Sequence, residues 1–504
     1  MRKEIFGYIV VFSVILVSAL VFIIPGVESS PLPGENLLSL LGEPADVSEG
    51  FNLEEQLNPQ RLPFQMPQQI QNQNNPDDSI GENLRRIEEL YRFIDKNFIY
   101  ELDHEEMYEK LINTLFSALN DPYSSYIPED RASRITDTTT GVYGGIGAYI
   151  SKPDPAYRDE NPSSYMVTIV APFQGSPAHR AGLHAGDLIS HIDGEETAEL
   201  TAEEASRLLR GPEGTEVTVT VYKSEDLSYD VTIMREIVAV PTVEYDMIDS
   251  TGYMKIIQFT PVTPEKVMEA IKFFRENDYD SIIIDMRQNP GGEFSAVRRI
   301  ADYFLQEGVI VSTESRVPGQ SRIYRSTPLI QVPPEIPIVV LVDGGSASGS
   351  EILAGALQDN GRAVVVGENT FGKGYVQGVF PFERDYFKIT ISRYLTPLNQ
   401  DIEASGITPD IVSKAQRLSD EEAKAATDLR RSRKLEQFAD EHPDMDSAPK
   451  EDFVRTLQEK GYELAERYLH MLIQQEYYSR KDFPPVYDLT FDETLKRALE
   501  VLKE

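Results

Sequence analysis

Residues 238–412 alternate apolar runs with segments of helical period, and this alternation constrains the fold more than any other feature of the chain. Ser281–Met286 and Ile338–Val342 are short apolar runs, typical of strands that are buried on both faces. Helices are predicted over Phe294–Phe304 and Ser348–Gln358, each of which follows one of these strands. Strands that alternate with helices pack in layers. The sequence therefore predicts a layered α/β core.

Residues 136–237 have a different pattern, with short strands separated by glycine-rich turns. The segment Tyr143–Ile150 reads YGGIGAYI, and a helix from about Ala202 to Leu209 ends before Gly211. Successive glycines allow backbone N–H groups to point at a terminal carboxylate, and a strand edge beside a helix forms a groove for a peptide. The alternative is that these glycines only form a tight turn. The region as a whole resembles a PDZ domain.

The resemblance to PDZ domains implies a site for a peptide C-terminus. The implied carboxylate-binding loop consists of Gly144, Gly145, Ile146 and Gly147. Arg210, at the end of the predicted helix, is a candidate for a contact that couples peptide occupancy to a distant site. The alternative for Arg210 is an interaction with the C-terminal end of the helix dipole alone.

The N-terminal segment predicts export. Arg2 and Lys3 precede an apolar run from Ile5 to Ile24, which at about 1.5 Å per residue spans the roughly 30 Å hydrocarbon core of a bilayer. Basic residues ahead of such a run favour an inside N-terminus. We therefore expect residues 1–27 to be a signal anchor in the inner (cytoplasmic) membrane, with the body of the protein in the periplasm or outside the cell. The alternative is a secreted protein whose signal peptide is cleaved.

The remaining segments complete a multidomain α+β / α/β organisation. Residues 28–78 are rich in Pro, Gln and Asn, which predicts a flexible tether. Residues 79–135 regain a helical period and predict an N-terminal helical segment. Residues 413–504 are charged and predict a helical C-terminal region.

Composition excludes several kinds of chemistry. The formal net charge of −35 disfavours binding to nucleic acid, and the absence of cysteine excludes disulfides, thiolate catalysis and Cys-ligated zinc. All six histidines lie outside residues 192–441, and their spacing suggests no metal site and no cofactor. If the core contains a nucleophile, it is an oxygen, and the base beside it is expected to be an amine.

The segment Gly344–Gln377 contains both groups. Ser346, Ser348 and Ser350 lie on a small-residue turn between a strand and a helix, which suits a nucleophile, and spacing alone does not choose among them. Lys373 follows Ser348 by 25 positions. A lysine becomes a base when burial lowers its pKa, and we expect Phe371 and Val376 to bury this one. The alternative is a helix cap followed by a solvated lysine.

The run GSASGSEILAGALQDNGRAVVVGENTFGKGYVQ resembles the carboxyl-terminal processing peptidases, also called tail-specific proteases. The resemblance extends to DMRQNPGGEF, to YLTPLNQDIEASGITPDI and to DPYSSYIPED, and spans roughly residues 80–412. It departs from the family at Asn399 and Gln400, where relatives carry a Gly and a basic residue; this departure concerns the geometry of that loop and not Ser348 or Lys373.

The family resemblance implies a role for each of five residues and an architecture for the core. Ser348 is the implied nucleophile, Lys373 the base, and Gln377 the group that orients the lysine. Gly349 and Gly292 are the implied oxyanion donors. The implied core is similar to the crotonase-like/ClpP-like architecture.

The expected function is that of an exported serine endopeptidase that binds the C-terminal tails of proteins and cleaves them through an acyl-enzyme. Its substrates are expected to be envelope proteins that undergo processing or quality control. Expected partners are a second copy of the chain, in a homo-oligomer, and an adaptor lipoprotein. A non-enzymatic alternative exists, because the same core architecture also serves retinoid-binding proteins, which would tolerate loss of Ser348 or Lys373.

Overall fold

The computed structural model describes residues 79–128, 142–152, 165–224, 227–328, 330–403, 405–414 and 418–504. The predicted signal anchor and tether, residues 1–78, lie outside these ranges. Within the described ranges no helix is long and apolar enough to cross a membrane. The longest of them, α1 (Ser79–Asn97), carries charged side chains along its length. The predicted membrane-anchored localisation is therefore corrected, because nothing in the described structure supports an anchor.

The chain begins, in its described part, with two helices that contribute little to any core. α2 (His104–Ser117) follows α1 and has no buried residue, and large apolar side chains of both helices are exposed. After α2, the chain turns at Asp121 and forms the short strand β1 (Ser125–Ile127). β1 pairs with a distant strand of the core, so this segment is attached to the rest of the molecule there.

The second unit is a small β-rich domain with its own apolar core. Its strands and helices, in chain order, are β2 (Val142–Gly145), β3 (Ala148–Ser151), β4 (Val167–Pro172), α3 (Pro177–Arg180), β5 (Leu188–Ile192), β6 (Glu195–Glu196), α4 (Ala202–Leu209), β7 (Glu216–Ser224), β8 (Leu227–Met234) and β9 (Glu236–Ala239). The main sheet has the order β3-β4-β5-β7-β8, so β3 is an edge strand, and α4 lies beside it. A strand edge next to a helix is the groove that the sequence predicts.

A six-stranded sheet forms the centre of the α/β core, in the order β10-β11-β12-β15-β16-β19. Its strands are β10 (Val243–Ile248), β11 (Thr251–Ile256), β12 (Ser281–Asp285), β15 (Ile338–Val342), β16 (Val364–Gly367) and β19 (Ile411–Val412). All are parallel except β10. Every residue of β12 and β15 is buried, as their apolar runs predict.

Helices cover both faces of this sheet. The helices on one face are α5 (Thr263–Glu276), α6 (Phe294–Phe304) and α7 (Gly349–Asp359). In β12, Ile282 and Ile284 point to this face and Ile283 to the other, as the alternation of side chains along a strand requires. Since β12 and β15 are parallel neighbours and each leads into a helix, the turns that follow them lie side by side at one edge of the sheet. The layered α/β fold class is confirmed.

A second sheet packs against this core in the order β1-β18-β13-β14, with β17 paired to β18. Its further strands are β13 (Val309–Glu314), β14 (Arg322–Arg325), β17 (Tyr375–Phe382) and β18 (Asp385–Leu395). Lys373 lies just before β17, and Gln377 lies within it. The sheet therefore brings the lysine segment toward the turn that follows β15.

The C-terminal region is helical, as predicted. The helices are α8 (Asp420–Arg431), α9 (Lys434–Glu441), α10 (Lys450–Glu459), α11 (Glu466–Ser479) and α12 (Glu493–Val501). The first four share an apolar cluster of their own, whereas α12 packs on the core sheet through Leu495 and Ala498. The domain boundaries given above for the sequence stay predictions.

Candidate active site

Ser348 occupies a strained turn between β15 and α7. Its backbone has φ 52° and ψ −109°, and its side chain is buried. A non-glycine residue with positive φ is costly, and such strain is found where a turn must present one side chain in a fixed direction. The backbone N–H of Ser348 donates to Glu351 Oε2 at 2.7 Å, which holds the turn in this conformation.

The other two serines of the turn have structural roles. The hydroxyl of Ser346 donates to the carbonyl of Met286 at 2.7 Å, and the hydroxyl of Ser350 donates to the carbonyl of Asn289 at 2.9 Å. Both side chains are fully buried. These hydrogen bonds tie Ser346 and Ser350 to the backbone of another turn, and of the three candidates that spacing left open Ser348 stays the predicted nucleophile.

Lys373 lies in a buried loop directly before β17. Burial, with a smaller contribution from the nearby charge of Lys388, lowers the pKa of its ammonium to about 8, against the opposing effects of Glu351 and Glu403. The Nζ atom lies 5.1 Å from the centre of the Tyr123 ring. The expectation that Phe371 buries this lysine is wrong, because Phe371 is 59% exposed, whereas Val376 is buried as predicted. The aromatic ring beside the lysine is instead that of Tyr123, from the segment before β1.

A buried carboxylate joins the serine turn to the lysine loop. Glu351 has no exposed surface and accepts four hydrogen bonds. Its Oε2 accepts the backbone N–H groups of Ser348 at 2.7 Å and Lys373 at 2.8 Å. Its Oε1 accepts Thr370 Oγ1 at 2.6 Å and the Gly372 N–H at 2.7 Å. Burial raises the pKa of Glu351, although these hydrogen bonds lower it in part.

Glu351 is not among the residues predicted above, although the sequence carries a signal for it. A serine followed three positions later by glutamate at the start of a helix is the pattern of a capping box. The residue is also the one acidic side chain in the segment Gly344–Gln358, which is otherwise made of small, apolar and uncharged residues. An acid in such a place is buried only when several donors surround it.

The turn after β12 meets the serine turn. The carbonyl of Asn289 accepts the N–H of Ala347 at 2.9 Å, and an ideal Cβ on Gly291 would lie 2.8 Å from the Cβ of Ser348. Gly292 has φ 142°, and a Cβ there would meet the Phe259 carbonyl oxygen at 1.9 Å, so only glycine fits. The N–H of Gly291 is occupied by Asn289 Oδ1 at 2.9 Å. Gly292 thus lies on the turn that meets the serine turn, and Gly349 directly follows Ser348.

Gln377 is buried in β17 beside a register shift that follows Val376. Its Nε2 atom has no hydrogen-bond partner among the described residues. The predicted contact between Gln377 and Lys373 stays a prediction.

The glycine-rich loop lies between β2 and β3 in the PDZ-like unit. Gly144 and Gly145 belong to β2 and pair with β9, whereas Ile146 and Gly147 form the turn itself. Gly147 has φ 72°, and a Cβ there would lie 2.6 Å from the Cβ of Ser176. Gly147 therefore allows close packing as well as a tight turn, since a larger residue at this position would collide with Ser176 and displace α3.

Arg210 lies near the same loop. Its guanidinium carbon is 4.3 Å from the centre of the Tyr143 ring, and its backbone N–H closes α4 by donating to Ser206. Its predicted role in coupling stays a prediction. In the part of the chain that the structure describes, no group of three or more His, Asp or Glu side chains is arranged to hold a metal ion.

Comparison with known proteins identifies the family of the chain. The descriptions "Peptidase family S41", "PDZ domain" and "Activating protease CtpB N-terminal domain" match residues 250–413, 168–223 and 51–131 respectively. A carboxy-terminal-processing protease of Bartonella bacilliformis is 35% identical over 345 residues, which cover 67% of this chain and 76% of that protein. A carboxyl-terminal-processing protease of Synechocystis is 34% identical over 334 residues, covering 65% and 75%.

A solved structure is also similar, that of a photosystem II D1 C-terminal processing protease. It is 26% identical, covers 66% of this chain and 87% of its own, and has a TM-score of 0.40. The chain belongs to the carboxyl-terminal processing peptidases of peptidase family S41. It is a serine peptidase with a PDZ domain, and the non-enzymatic alternative is set aside.

Proposed function

We propose that the protein cleaves polypeptides near their C-termini with Ser348 as nucleophile and Lys373 as general base. One observation supports this proposal above all others: the backbone N–H groups of Ser348 and Lys373 donate to the same oxygen of Glu351, at 2.7 and 2.8 Å. The two backbone nitrogens are consequently separated by no more than the sum of these two distances. The buried carboxylate of Glu351 thus holds together Ser348 and Lys373, which are 25 positions apart in the sequence.

The mechanism follows from the proposed roles. The neutral amine of Lys373 accepts the proton of the Ser348 hydroxyl as Oγ attacks the substrate carbonyl. The N–H groups of Gly349 and Gly292 stabilise the oxyanion. The Lys373 ammonium then donates its proton to the leaving amine, which produces an acyl-enzyme. The same amine then deprotonates a water molecule, which attacks the ester; as the ester bond to Oγ breaks, the Lys373 ammonium returns its proton to Oγ, which frees Ser348 and the new C-terminus.

The PDZ domain is proposed to capture the substrate tail. An extended peptide can add to the free edge of β3, with its carboxylate at the turn formed by Ile146 and Gly147. Ile146 of the turn and Ala205 and Leu209 of α4 belong to one buried apolar cluster, so the elements that border this edge carry apolar side chains. This lining favours an apolar side chain at the C-terminus of the substrate.

The first prediction concerns pH. Because only the neutral amine of Lys373 is a base and its pKa is about 8, kcat/KM for a quenched fluorescent peptide should rise about tenfold per unit below pH 8 and level off above it. Removing the positive charge of Lys388 raises the pKa of Lys373, so Lys388→Met should move the rising part of the pH profile to higher pH. Lys272→Met, which changes an exposed helix lysine, is the control. A rate independent of pH from 6 to 9 would contradict the proposed base.

The second prediction concerns the tail. Amidating the C-terminus of a substrate with an apolar last residue removes a charged acceptor from the PDZ turn, and such hydrogen bonds contribute about 1.5–3 kcal/mol. The value of kcat/KM should therefore fall by about 10- to 100-fold, whereas acetylating the N-terminus should leave it unchanged. Gly147→Val should abolish this discrimination, because the new side chain collides with Ser176. Equal rates for the free and amidated peptides would exclude tail capture.

A further inference from the structure

Residues 482–492, which we call the C-terminal strap, connect α11 to α12. The strap lies outside the segments matched by the peptidase and PDZ descriptions. Its first residues contact the PDZ domain, and its last residue contacts the turn that contains Gly292. The strap is therefore a continuous covalent connection between the proposed tail site and the proposed oxyanion site.

The first end of the strap binds the PDZ domain through Asp482. Its Oδ1 accepts the backbone N–H of Ala185 at 2.8 Å, and its Oδ2 lies 2.8 Å from His184 Nδ1. The neighbouring Phe483 packs edge to face on His179, with ring centres 5.3 Å apart. His179 belongs to α3, and the N–H of Ala178 in the same helix donates to the Ile146 carbonyl at 2.8 Å. The strap thus contacts α3, the helix that supports the carboxylate-binding turn.

The last residue of the strap, Asp492, binds the core. Its two carboxylate oxygens accept Arg287 Nη1 at 2.9 Å and Nη2 at 2.6 Å, a bidentate pair. The Nε atom of Arg287 also donates to both oxygens of Asp285, at 3.0 and 3.1 Å. Arg287 is the second residue of the turn that leads from β12 to Gly292. All three side chains are largely buried, so water screens these charges little.

The middle of the strap is held in a single path. Pro484 and Pro485 restrict its backbone. The Tyr487 hydroxyl donates to the Met247 carbonyl at 3.0 Å, and its ring packs on Tyr253, which in turn donates to Asp285 Oδ2 at 2.7 Å. The Asp488 carboxylate accepts two backbone N–H groups of the strap itself. The strap is therefore fixed along its length between the PDZ domain and the core.

We propose that Asp492 is a positioning residue for the oxyanion turn and that the strap makes this positioning depend on the PDZ domain through Asp482. This inference rests on the proposed function, because it assumes that the N–H of Gly292 binds the oxyanion. Asp492 touches no reacting atom. It acts by holding the Nη1–Nη2 edge of the Arg287 guanidinium, whereas Asp285 holds the Nε–Nη2 edge, so that the turn beginning at residue 286 has one conformation.

The test uses the full chain and two readouts of the active site. Asp492→Asn keeps an acceptor for the N-cap of α12 but loses the charge that holds Arg287. We expect kcat for the quenched peptide to fall about tenfold with KM unchanged, a part of the loss seen when an oxyanion donor is removed. The Ki of a peptide aldehyde, whose hemiacetal oxygen needs the oxyanion donors, should rise by a similar factor. Asp492→Ser, which also caps the helix, should behave alike.

A matched control and a double-mutant cycle complete the test. Glu493→Gln removes the same charge one residue later, where the partner is Arg467 and not Arg287, and should leave kcat and Ki unchanged. Asp482→Ala should lower kcat in the same direction as Asp492→Asn, and the double variant should be no slower than the slower single variant.

The outcomes are distinguishable from one another. Unchanged kcat and aldehyde Ki in Asp492→Asn would overturn the positioning role while the proposed function stands. Multiplicative effects of Asp482→Ala and Asp492→Asn would overturn the dependence on the PDZ domain. If Ser348→Ala still cleaves the peptide, the proposed function itself fails, whatever the strap variants do.

Discussion

Ser348→Ala is expected to lower kcat for a quenched peptide by roughly five orders of magnitude or more, which is the usual cost of removing a serine nucleophile. Lys373→Met should lower it to a similar extent, because the amine is the proposed acceptor of the serine proton and both oxygens of the nearby Glu351 carboxylate already accept hydrogen bonds. The double variant should be no slower than either single variant, since the two side chains act as one unit. Single-turnover kinetics with excess enzyme would measure the remaining activity.

The same turn provides matched controls. Ser346→Ala and Ser350→Ala each remove a buried hydroxyl that donates to a backbone carbonyl, and such losses cost about 1–3 kcal/mol of stability. Both variants should unfold at lower temperature and yet keep kcat within about tenfold of the unmodified protein. If either is as inactive as Ser348→Ala at a temperature where it is folded, the assignment of the nucleophile is wrong.

Lys373→Met has a second consequence that separates loss of chemistry from loss of structure. The pKa of Lys373 is about 8 in the folded protein, below its unfolded value, so the unfolded chain binds more protons between these pKa values and stability rises with pH there. Below pH 8 the folded protein bears the full cost of a buried ammonium, up to about 3 kcal/mol. The inactive methionine variant should therefore be more stable than the unmodified protein at pH 7, as urea unfolding would show.

Much of the fold could be predicted because the informative residues are close in sequence. The apolar runs that form β12 and β15, and the helices after them, follow from local periodicity, and parallel pairing then places their turns side by side. The family resemblance also placed Ser348 and Lys373 in segments that the fold brings together. Spacing alone did not distinguish Ser348 from Ser346 and Ser350, because the distinction depends on hydrogen bonds to the backbone of a different turn.

The remaining features could not be predicted because they depend on contacts between distant segments. Tyr123 reaches Lys373 only because β1 pairs with β18, which no local pattern indicates. Phe371 is apolar and lies two positions before Lys373, yet it is largely exposed, so proximity in sequence was a poor guide to burial. The pair formed by Arg287 and Asp492 joins residues 205 positions apart, and neither one stands out in a chain with 83 acidic residues.

Glu351→Gln is expected to lower kcat by about 100-fold or more, although residue 351 does not touch the substrate. The glutamate accepts four hydrogen bonds with two oxygens. A glutamine can offer only one oxygen, and its NH2 group must then face donors that have no acceptor, either at Thr370 and Gly372 or at Ser348 and Lys373. The serine turn and the lysine loop should separate, and thermal unfolding should occur at a lower temperature.

Electrostatics and alignment predict opposite effects of Glu351→Gln on the rate. The charge of Glu351 raises the pKa of Lys373, so its removal lowers that pKa and increases the fraction of neutral amine at pH 7. Electrostatics alone would therefore increase the rate. Glu403→Gln is the matched control, because Glu403 also raises the pKa of Lys373 but accepts the N–H of Gly374 and makes no bond to the serine turn. A slow Glu351→Gln beside an active Glu403→Gln, both measured at pH 9, would show that the shared carboxylate aligns the two segments, whereas equal rates would show that it does not.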